Sequence, residues 1–272
     1  GWLMSELFIT VLLCTVRGPK GYLEHPEWDI LGKVVKDLSK QTFKNFCLVV
    51  VDGVRERVQH NNLGGWNLPF DVVHVLPRET PWTRTKKVAI SAYRNTGLIH
   101  AKGDLVVNLD DCCELPEVYL DVFAGAWRKG YCASPIWPES GDTRQPSIVP
   151  TPRKGGSSCI YGFGTYPLEW AVKLNGYDEA YDGGQALEDA DWSTRIMQSG
   201  GRYALLRIPG FLIHKQTGHD ARAIDLKRPI VKCCNAAWQT QRVWRNVLVA
   251  NTPDLWTKEA LDKLVGPCWL LG

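Results

Sequence analysis

The stretch Leu105-Val106-Val107-Asn108-Leu109-Asp110-Asp111 decides how this chain is read. Its apolar part is too short for a helix and lacks the alternation of a half-exposed strand, so it predicts a strand covered on both faces. It ends in two adjacent carboxylates. Like charges side by side repel, and a hard divalent ion bound through oxygen is a natural reason to keep them together. The alternative is a solvated turn capping a helix that starts near Pro116.

Upstream, the same kind of run recurs. Leu7–Thr15, Phe46–Val51 and Val72–Leu76 predict three more buried strands. Helical stripes separate them over Trp28–Lys40 and Thr83–Ala101, the latter closed by Gly103. This alternation predicts an α/β fold with a mostly parallel sheet and helices on both faces. Such sheets bind ligands beyond the carboxyl ends of their strands, where Asp52 and Asp110-Asp111 fall. Asp52 has its own bland reading, because Asp52-Gly53 after a strand is also an ordinary turn. Downstream, residues 134–164 are rich in Pro, Gly and Ser and predict long loops. Helices are expected again at Leu168–Leu174 and Glu188–Ser199, and short strands at Tyr203–Leu206 and Phe211–Ile213. The last fifty residues read as helical, with apolar stripes through Trp238, Val243, Trp244, Val247 and Leu248 and through Leu261, Leu264 and Val265.

Composition is that of a globular protein: 272 residues, 44% hydrophobic, 22% charged, net charge +3. The mildly basic balance suits an anionic ligand without requiring one. Nine cysteines, an odd number with no CxxC pair, make neither a disulfide nor a zinc framework, so a reducing compartment is expected. No run approaches the roughly 20 apolar residues of a spanning helix, and Leu7–Leu13 lacks the basic flank and cleavage site of a signal peptide. A cytoplasmic location is therefore expected. Gly-Trp-Leu ahead of Met4 reads as a remnant outside the fold.

A third feature lies at Tyr177–Trp192, where Asp182-Gly183-Gly184 leads into Glu188-Asp189-Ala190-Asp191. The helix dipole accounts for one or two carboxylates in a first turn. It does not account for the glycines, which suggest a mobile loop closing over a site beside a fixed carboxylate. Two basic sets accompany these motifs: Arg78, Arg84, Lys86, Lys87 and Arg94, and then Arg222, Lys227, Arg228, Lys232, Arg242 and Arg245. Each reads either as an anion-binding surface or as the solvated face of a helix.

The order of these motifs resembles that of inverting family 2 glycosyltransferases with the GT-A fold. The opening strand with Thr15 and Arg17, then Gln41–Phe46 leading to Asp52, resembles the family's nucleotide-binding half. Arg94-Asn95-Thr96-Gly97-Leu98 through Asp104 resembles the helix before the metal motif, and Leu174–Glu179 with Glu188–Asp191 and Arg195 resembles its later acidic motifs. The match covers roughly residues 5–216, giving a catalytic domain over 4–222 and a helical C-terminal extension over 223–272.

The resemblance implies that Asp52 binds the nucleotide base, with Thr15, Arg17 and Arg94 also on the nucleotide. It implies that Asp110 contacts ribose or metal, and that Asp111 and His214 bind a divalent metal, Mn²⁺ or Mg²⁺. Asp189 would be the general base and Glu188 would position the acceptor. Many members carry a third carboxylate where this chain has Cys112, which leaves a softer ion or a metal-poor site open. Like-charge repulsion among Glu188, Asp189 and Asp191 is expected to raise the pKa of the base. The implied activity is transfer of a sugar from a nucleotide sugar, UDP-linked as is common in the family, to a hydroxyl of a glycan, lipid-linked or small-molecule acceptor. Two alternatives stay open: the same chemistry on a hydroxymethyl-pyrimidine base of nucleic acid, and a non-catalytic sugar-nucleotide-binding module.

Overall fold

Why the apolar runs are continuous is visible in how their side chains divide. In β1 (Ile9–Thr15), Ile9, Val11 and Leu13 enter one core cluster, while Leu12 enters a second on the other face of the sheet. Phe46, Leu48 and Val50 of β2 (Phe46–Asp52) join the first cluster, and Val49 and Val51 the second. A strand buried on both faces has no polar alternation to show. The computed structural model describes residues 6–16, 29–60, 63, 66–84, 89–136, 146–150, 164–183, 187–214, 249–250 and 255–256.

The elements run in chain order β1, α1 (Ile30–Ser39), β2, α2 (Arg55–Gln59), β3 (Asp71–Val75), α3 (Pro81–Arg84), α4 (Ile90–His100) and β4 (Leu105–Asp110). They continue with β5 (Cys113–Glu114), α5 (Tyr119–Arg128), β6 (Cys132–Pro135), β7 (Ser147–Pro150), β8 (Thr165–Pro167), α6 (Leu168–Lys173), a 3₁₀ turn (Glu179–Tyr181), α7 (Glu188–Gln198), β9 (Tyr203–Arg207) and β10 (Leu212–Ile213). The central sheet has the order β3-β2-β1-β4-β8, parallel except for β8, which is antiparallel to β4. A second sheet has the order β6-β9-β7, and β5 pairs with β10 in a two-stranded ribbon. Leu31, Val34, Val35 and Leu38 of α1 and Tyr119, Leu120 and Phe123 of α5 cover the first face. Leu98 of α4, Leu168 and Ala171 of α6, and Trp192 and Ile196 of α7 cover the second.

Two expectations need correction. The single helix over 83–101 is instead α3 and α4, with Ala89 at the start of α4. Asp182, distant in sequence, accepts from the Ser91 and Ala92 amides at 2.9 and 3.0 Å and satisfies that helix start. The loop-like region 134–164 contains β7, an edge strand in which Pro150 is tolerated because its missing amide costs no ladder bond. The helical stripes and the second basic set expected beyond residue 214 lie outside the described residues. The tail does return to the domain at two places: the Ala250 amide donates to the Leu174 carbonyl, and Leu255 and Trp256 are buried in the second cluster.

Gly97 brings α4 close to β1. A Cβ there would stand 1.9 Å from Leu12 Cδ1, and Leu12 is itself buried among core side chains. Gly97→Ala is therefore expected to destabilise the fold by about 1–3 kcal/mol, less the helix-propensity gain of roughly 1 kcal/mol. A urea melt of the two proteins checks this; an unchanged midpoint would mean that Leu12 has room to move.

Candidate active site

The site lies at the carboxyl ends of β2, β1 and β4. Register aligns these ends: Thr15 faces Asp52 across β1–β2, and Cys14 faces Asp110 across β1–β4. The pleat then separates them. Thr15 and Asp52 continue the α1 face begun by Leu13 and Val50, whereas Asn108 and Asp110 continue the α4 face begun by Val106. Asp111, one residue on, returns to the first side and accepts a 2.5 Å hydrogen bond from Thr15 Oγ1. The two adjacent carboxylates thus fall on opposite faces at the end of the sheet.

On the α1 face, Asp52 has no exposed surface. Arg57 donates to it twice, from Nε to Oδ2 at 2.5 Å and from Nη2 to Oδ1 at 2.8 Å. The Val54 amide reaches Oδ1 at 2.8 Å, and His74 Nε2 lies 2.9 Å from Oδ2. Burial works against the charge, but the bonds from His74, Arg57 and Val54 outweigh it and hold the carboxyl below its ordinary range. Asp52 is therefore more than a turn residue.

On the α4 face, Arg94 is the organising cation. It is 4% exposed, ion-paired to Asp189 Oδ1, 3.8 Å from Glu188 Oε1 and stacked 5.0 Å over the Tyr177 ring. Burial alone would weaken its charge; Asp189 first, with Glu188 and Asp110 behind it, keeps it firmly protonated. Burial raises the Asp189 carboxyl to about 8; Arg94 opposes that rise, and Glu188 and Asp110 add repulsion. Among the described residues no partner occupies Asp189 Oδ2, and the side chain keeps 21% of its surface exposed. Asp189 can thus present one oxygen outward while the other is held. Leu187, directly before this pair, adopts a left-handed backbone at φ 82°. For a leucine that costs on the order of 1 kcal/mol or more, and it sets the angle at which α7 enters the site.

Asp191 does not share in the repulsion expected of it. It belongs to the buried face of α7, where Arg195 Nε donates to it at 2.7 Å. Arg195 Nη1 also donates to the Leu174 and Gly176 carbonyls at 3.0 and 2.8 Å, so this pair locks α7 to the preceding turn. The other acids of the Tyr177–Asp182 stretch are likewise structural. Asp178 caps the 3₁₀ turn, Glu179 takes Arg78 and Asn95, and Asp182 caps α4. Arg78 and Arg94 of the first basic set are consequently paired within the protein, Arg84 ends α3, and Lys86 and Lys87 lie outside the described residues. Gly183, from the stretch expected to be mobile, has φ 82° and leaves no room for a Cβ against Trp82; residues 184–186 lie outside the described residues.

Several residues beyond the expected set complete the site. His74 and Arg57 hold Asp52. Asn108 takes the Tyr166 hydroxyl at 3.0 Å and donates to the Tyr177 hydroxyl at 2.6 Å. A polar residue inside an apolar strand, as in Val72-Val73-His74-Val75 or Val106-Val107-Asn108-Leu109, was the available signal, since burial demands a partner.

Asp110 and Asp111 offer hard oxygen donors, which fits Mn²⁺ or Mg²⁺. Cys112 is 2% exposed and packed in the first core cluster, so its thiol gives no basis for a softer ion. His214 comes beside this motif, its amide donating to the Cys112 carbonyl at 2.8 Å, but its Nε2 lies 2.7 Å from Glu114 Oε1. Among the described residues, no group of three or more His, Cys, Asp and Glu is assembled to hold a metal. Arg17 lies outside the described residues.

No protein-family model and no curated protein sequence matches this chain. Solved structures do resemble it. Staphylococcus aureus TarS is 14% identical with a TM-score of 0.57, over 91% of this chain. TarS 1–349 in complex with UDP-GlcNAc is 14% identical with a TM-score of 0.58, over 87% of this chain and 70% of that one. GalNAc-T7 with UDP, GalNAc and Mn²⁺ is 17% identical with a TM-score of 0.55, over 79% of this chain. The chain spans only 41% of the longer TarS chain and 45% of GalNAc-T7. The fold is of the GT-A glycosyltransferase type.

Asp182→Ala removes the cap from α4 and is expected to lower stability by about 1–2 kcal/mol. Burial raises the Asp182 carboxyl to about 7, against the pull of the Ser91 and Ala92 amides. Its folded pKa thus lies above the unfolded one, so the native state binds the extra proton. The contribution of this group to stability falls as pH rises from about 4 to 7 and is flat above. Denaturant melts of Asp182→Asn against wild type should show that part of the slope gone; parallel pH curves would contradict it.

Proposed function

We propose that this chain is a nucleotide-sugar-dependent glycosyltransferase of the inverting type, moving a sugar from a UDP-sugar to an acceptor hydroxyl. The observation that carries the proposal is the placement of Asp189 on the first turn of α7, beside Arg94 and within the field of Asp110 at the end of β4. A carboxylate suited to act as base, held by a buried cation, therefore stands where an α/β sheet of this kind receives a ligand. The solved complexes of TarS with UDP-GlcNAc and of GalNAc-T7 with UDP support the choice of donor class.

In the proposed reaction, Asp189 Oδ2 accepts the proton of the acceptor hydroxyl as its oxygen attacks the anomeric carbon. The bond from that carbon to the diphosphate oxygen breaks, its electron pair leaves with the diphosphate, and the configuration inverts. Arg94 holds Asp189 Oδ1 and fixes the direction of Oδ2, and Glu188 lies on the same turn to orient the acceptor. Thr15 and Asp52 belong to the nucleotide half, and Arg94 serves the reaction half through Asp189. Asp110 and Asp111 would hold the divalent ion, which supplies charge stabilisation to the departing diphosphate. No helix among the described residues is long and apolar enough to cross a membrane.

Release of nucleotide from UDP-, GDP-, dTDP- and CMP-sugars, each with and without Mn²⁺, tests the activity. Asp189→Asn is expected to lower turnover about 10²- to 10⁴-fold with little change in donor affinity. A base must be deprotonated to work, so the wild-type rate should rise with pH through about 8 and then level. Unchanged turnover in Asp189→Asn, or no nucleotide released from any donor, would sink the proposal.

A further inference from the structure

Arg94 touches the turn at 174–177 as well as Asp189. Its guanidinium stacks 5.0 Å over the Tyr177 ring, and the same group is ion-paired to Asp189. The Tyr177 ring is therefore the platform on which the cation of the reaction half rests. Three side chains of the sheet and helices hold that platform. Asn108 donates to the Tyr177 hydroxyl at 2.6 Å. Asn95 accepts from the Tyr177 amide at 2.8 Å and donates to its carbonyl at 2.9 Å. Arg195 donates to the Leu174 and Gly176 carbonyls.

A fourth hold comes from far along the chain. The Ala250 amide donates to the Leu174 carbonyl at 3.0 Å, and Asn175 donates to the Ala250 carbonyl at 3.5 Å while accepting from the Leu255 amide at 3.3 Å. Leu255 is 3% exposed. A Cβ added to Gly176 would stand 2.6 Å from Leu255 Cδ1 and 2.4 Å from Asn95 Oδ1. Leu255 and Asn95 thus crowd the same point of the backbone, one residue before the platform. Asn175 and Gly176 are both left-handed, at φ 54° and 67°. Two such residues in succession, one of them not glycine, persist only where their surroundings hold them.

We infer that Leu255 is a positioning residue for the proposed reaction: seated on Gly176, it fixes the Tyr177 ring beneath Arg94, and through Arg94 it sets the direction in which Asp189 presents Oδ2. This rests on the glycosyltransferase reading above. The chain beyond residue 216, which the family resemblance does not cover, thereby gains a part in the reaction. A guanidinium held by a ring and a carboxylate moves when either moves, and a displacement of about 1 Å at a reacting group can cost 10²-fold in rate. The effect falls on turnover rather than on donor binding, because Thr15, Asp52 and Asp111 lie on the other face of the sheet end.

The test uses variants of the full chain. Leu255→Ala removes the side chain at Gly176, and Leu255→Met keeps its bulk. Asn175→Gly removes the side chain that bonds Ala250 and Leu255 while suiting the left-handed backbone. Phe123→Leu, on α5 in the first core cluster, is the control for lost stability alone. Nucleotide release is measured for each below its melting temperature, with the donor that wild type uses. Leu255→Ala and Asn175→Gly are expected to lower kcat about 10- to 100-fold with donor KM little changed. Leu255→Met should keep most of the rate, and Phe123→Leu all of it. The Nε–Hε resonance of Arg94 gives a readout without substrate. The Tyr177 ring current shifts it in wild type, Leu255→Met and Phe123→Leu, and that shift should be lost in Leu255→Ala and Asn175→Gly. A kcat in Leu255→Ala and Asn175→Gly no lower than in Phe123→Leu, a loss confined to donor KM, or an Arg94 resonance unmoved in both would each overturn the inference and leave the transferase reading standing. If wild type releases nucleotide from no donor, the transferase reading fails, and Leu255 has no reaction to serve.

Discussion

The ion pair between Arg94 and Asp189 is the interaction on which the site depends. A guanidinium buried to this degree persists only with its charge answered, because desolvating an unpaired ion is far more costly than any contact it makes. Asp189 answers it directly, and Glu188 and Asp110 lie within its field. To bring these groups together, α4 must lie against β1 with its start fixed, and α7 must enter the site at one angle. Gly97 permits the first, Asp182 secures the second, and the Asp191–Arg195 pair with the strained Leu187 provides the third.

An acidic motif is thereby divided by helix geometry. Glu188 and Asp189 sit on the face of α7 turned to the ligand end of the sheet. Asp191 sits on the buried face and spends its charge on Arg195, four residues on, which ties the helix to the Leu174–Gly176 turn. The elevated pKa of Asp189 accordingly has burial as its main cause, with repulsion from Glu188 and Asp110 secondary and the attraction of Arg94 opposing both. The same division holds at β4, where the pleat sends Asp110 to the α4 side while Asp111 meets Thr15 on the α1 side. On the proposed reading, a ligand crossing the end of the sheet would meet a nucleotide half and a reaction half, each with one carboxylate of the pair.

Much of this could be read before the fold was known. The four parallel strands were marked by predominantly apolar runs without polar alternation, and each ended within a residue or two of its expected place. Asp52, Asp110, Asp111, Glu188 and Asp189 stood out by their order and position at strand ends and at a helix start, although each such place also has a structural use as a turn or cap. What the local pattern does not carry is short or distant. β7 has one neighbour in the sheet and carries Pro150, so its residues show the pattern of a loop. The break before α4 depends on Asp182, some ninety residues away, which no local window can see.

The sequence by itself determined the α/β class, the order of the strands along the chain and which carboxylates stand at their ends, because burial on both faces and turn chemistry are local properties of the chain. Tertiary structure alone decided what each charged group does. A side chain's role depends on which partner the fold brings within about 3 Å, and the deciding partners here are non-local: Arg94 for Asp189, Thr15 for Asp111, and His74 for Asp52.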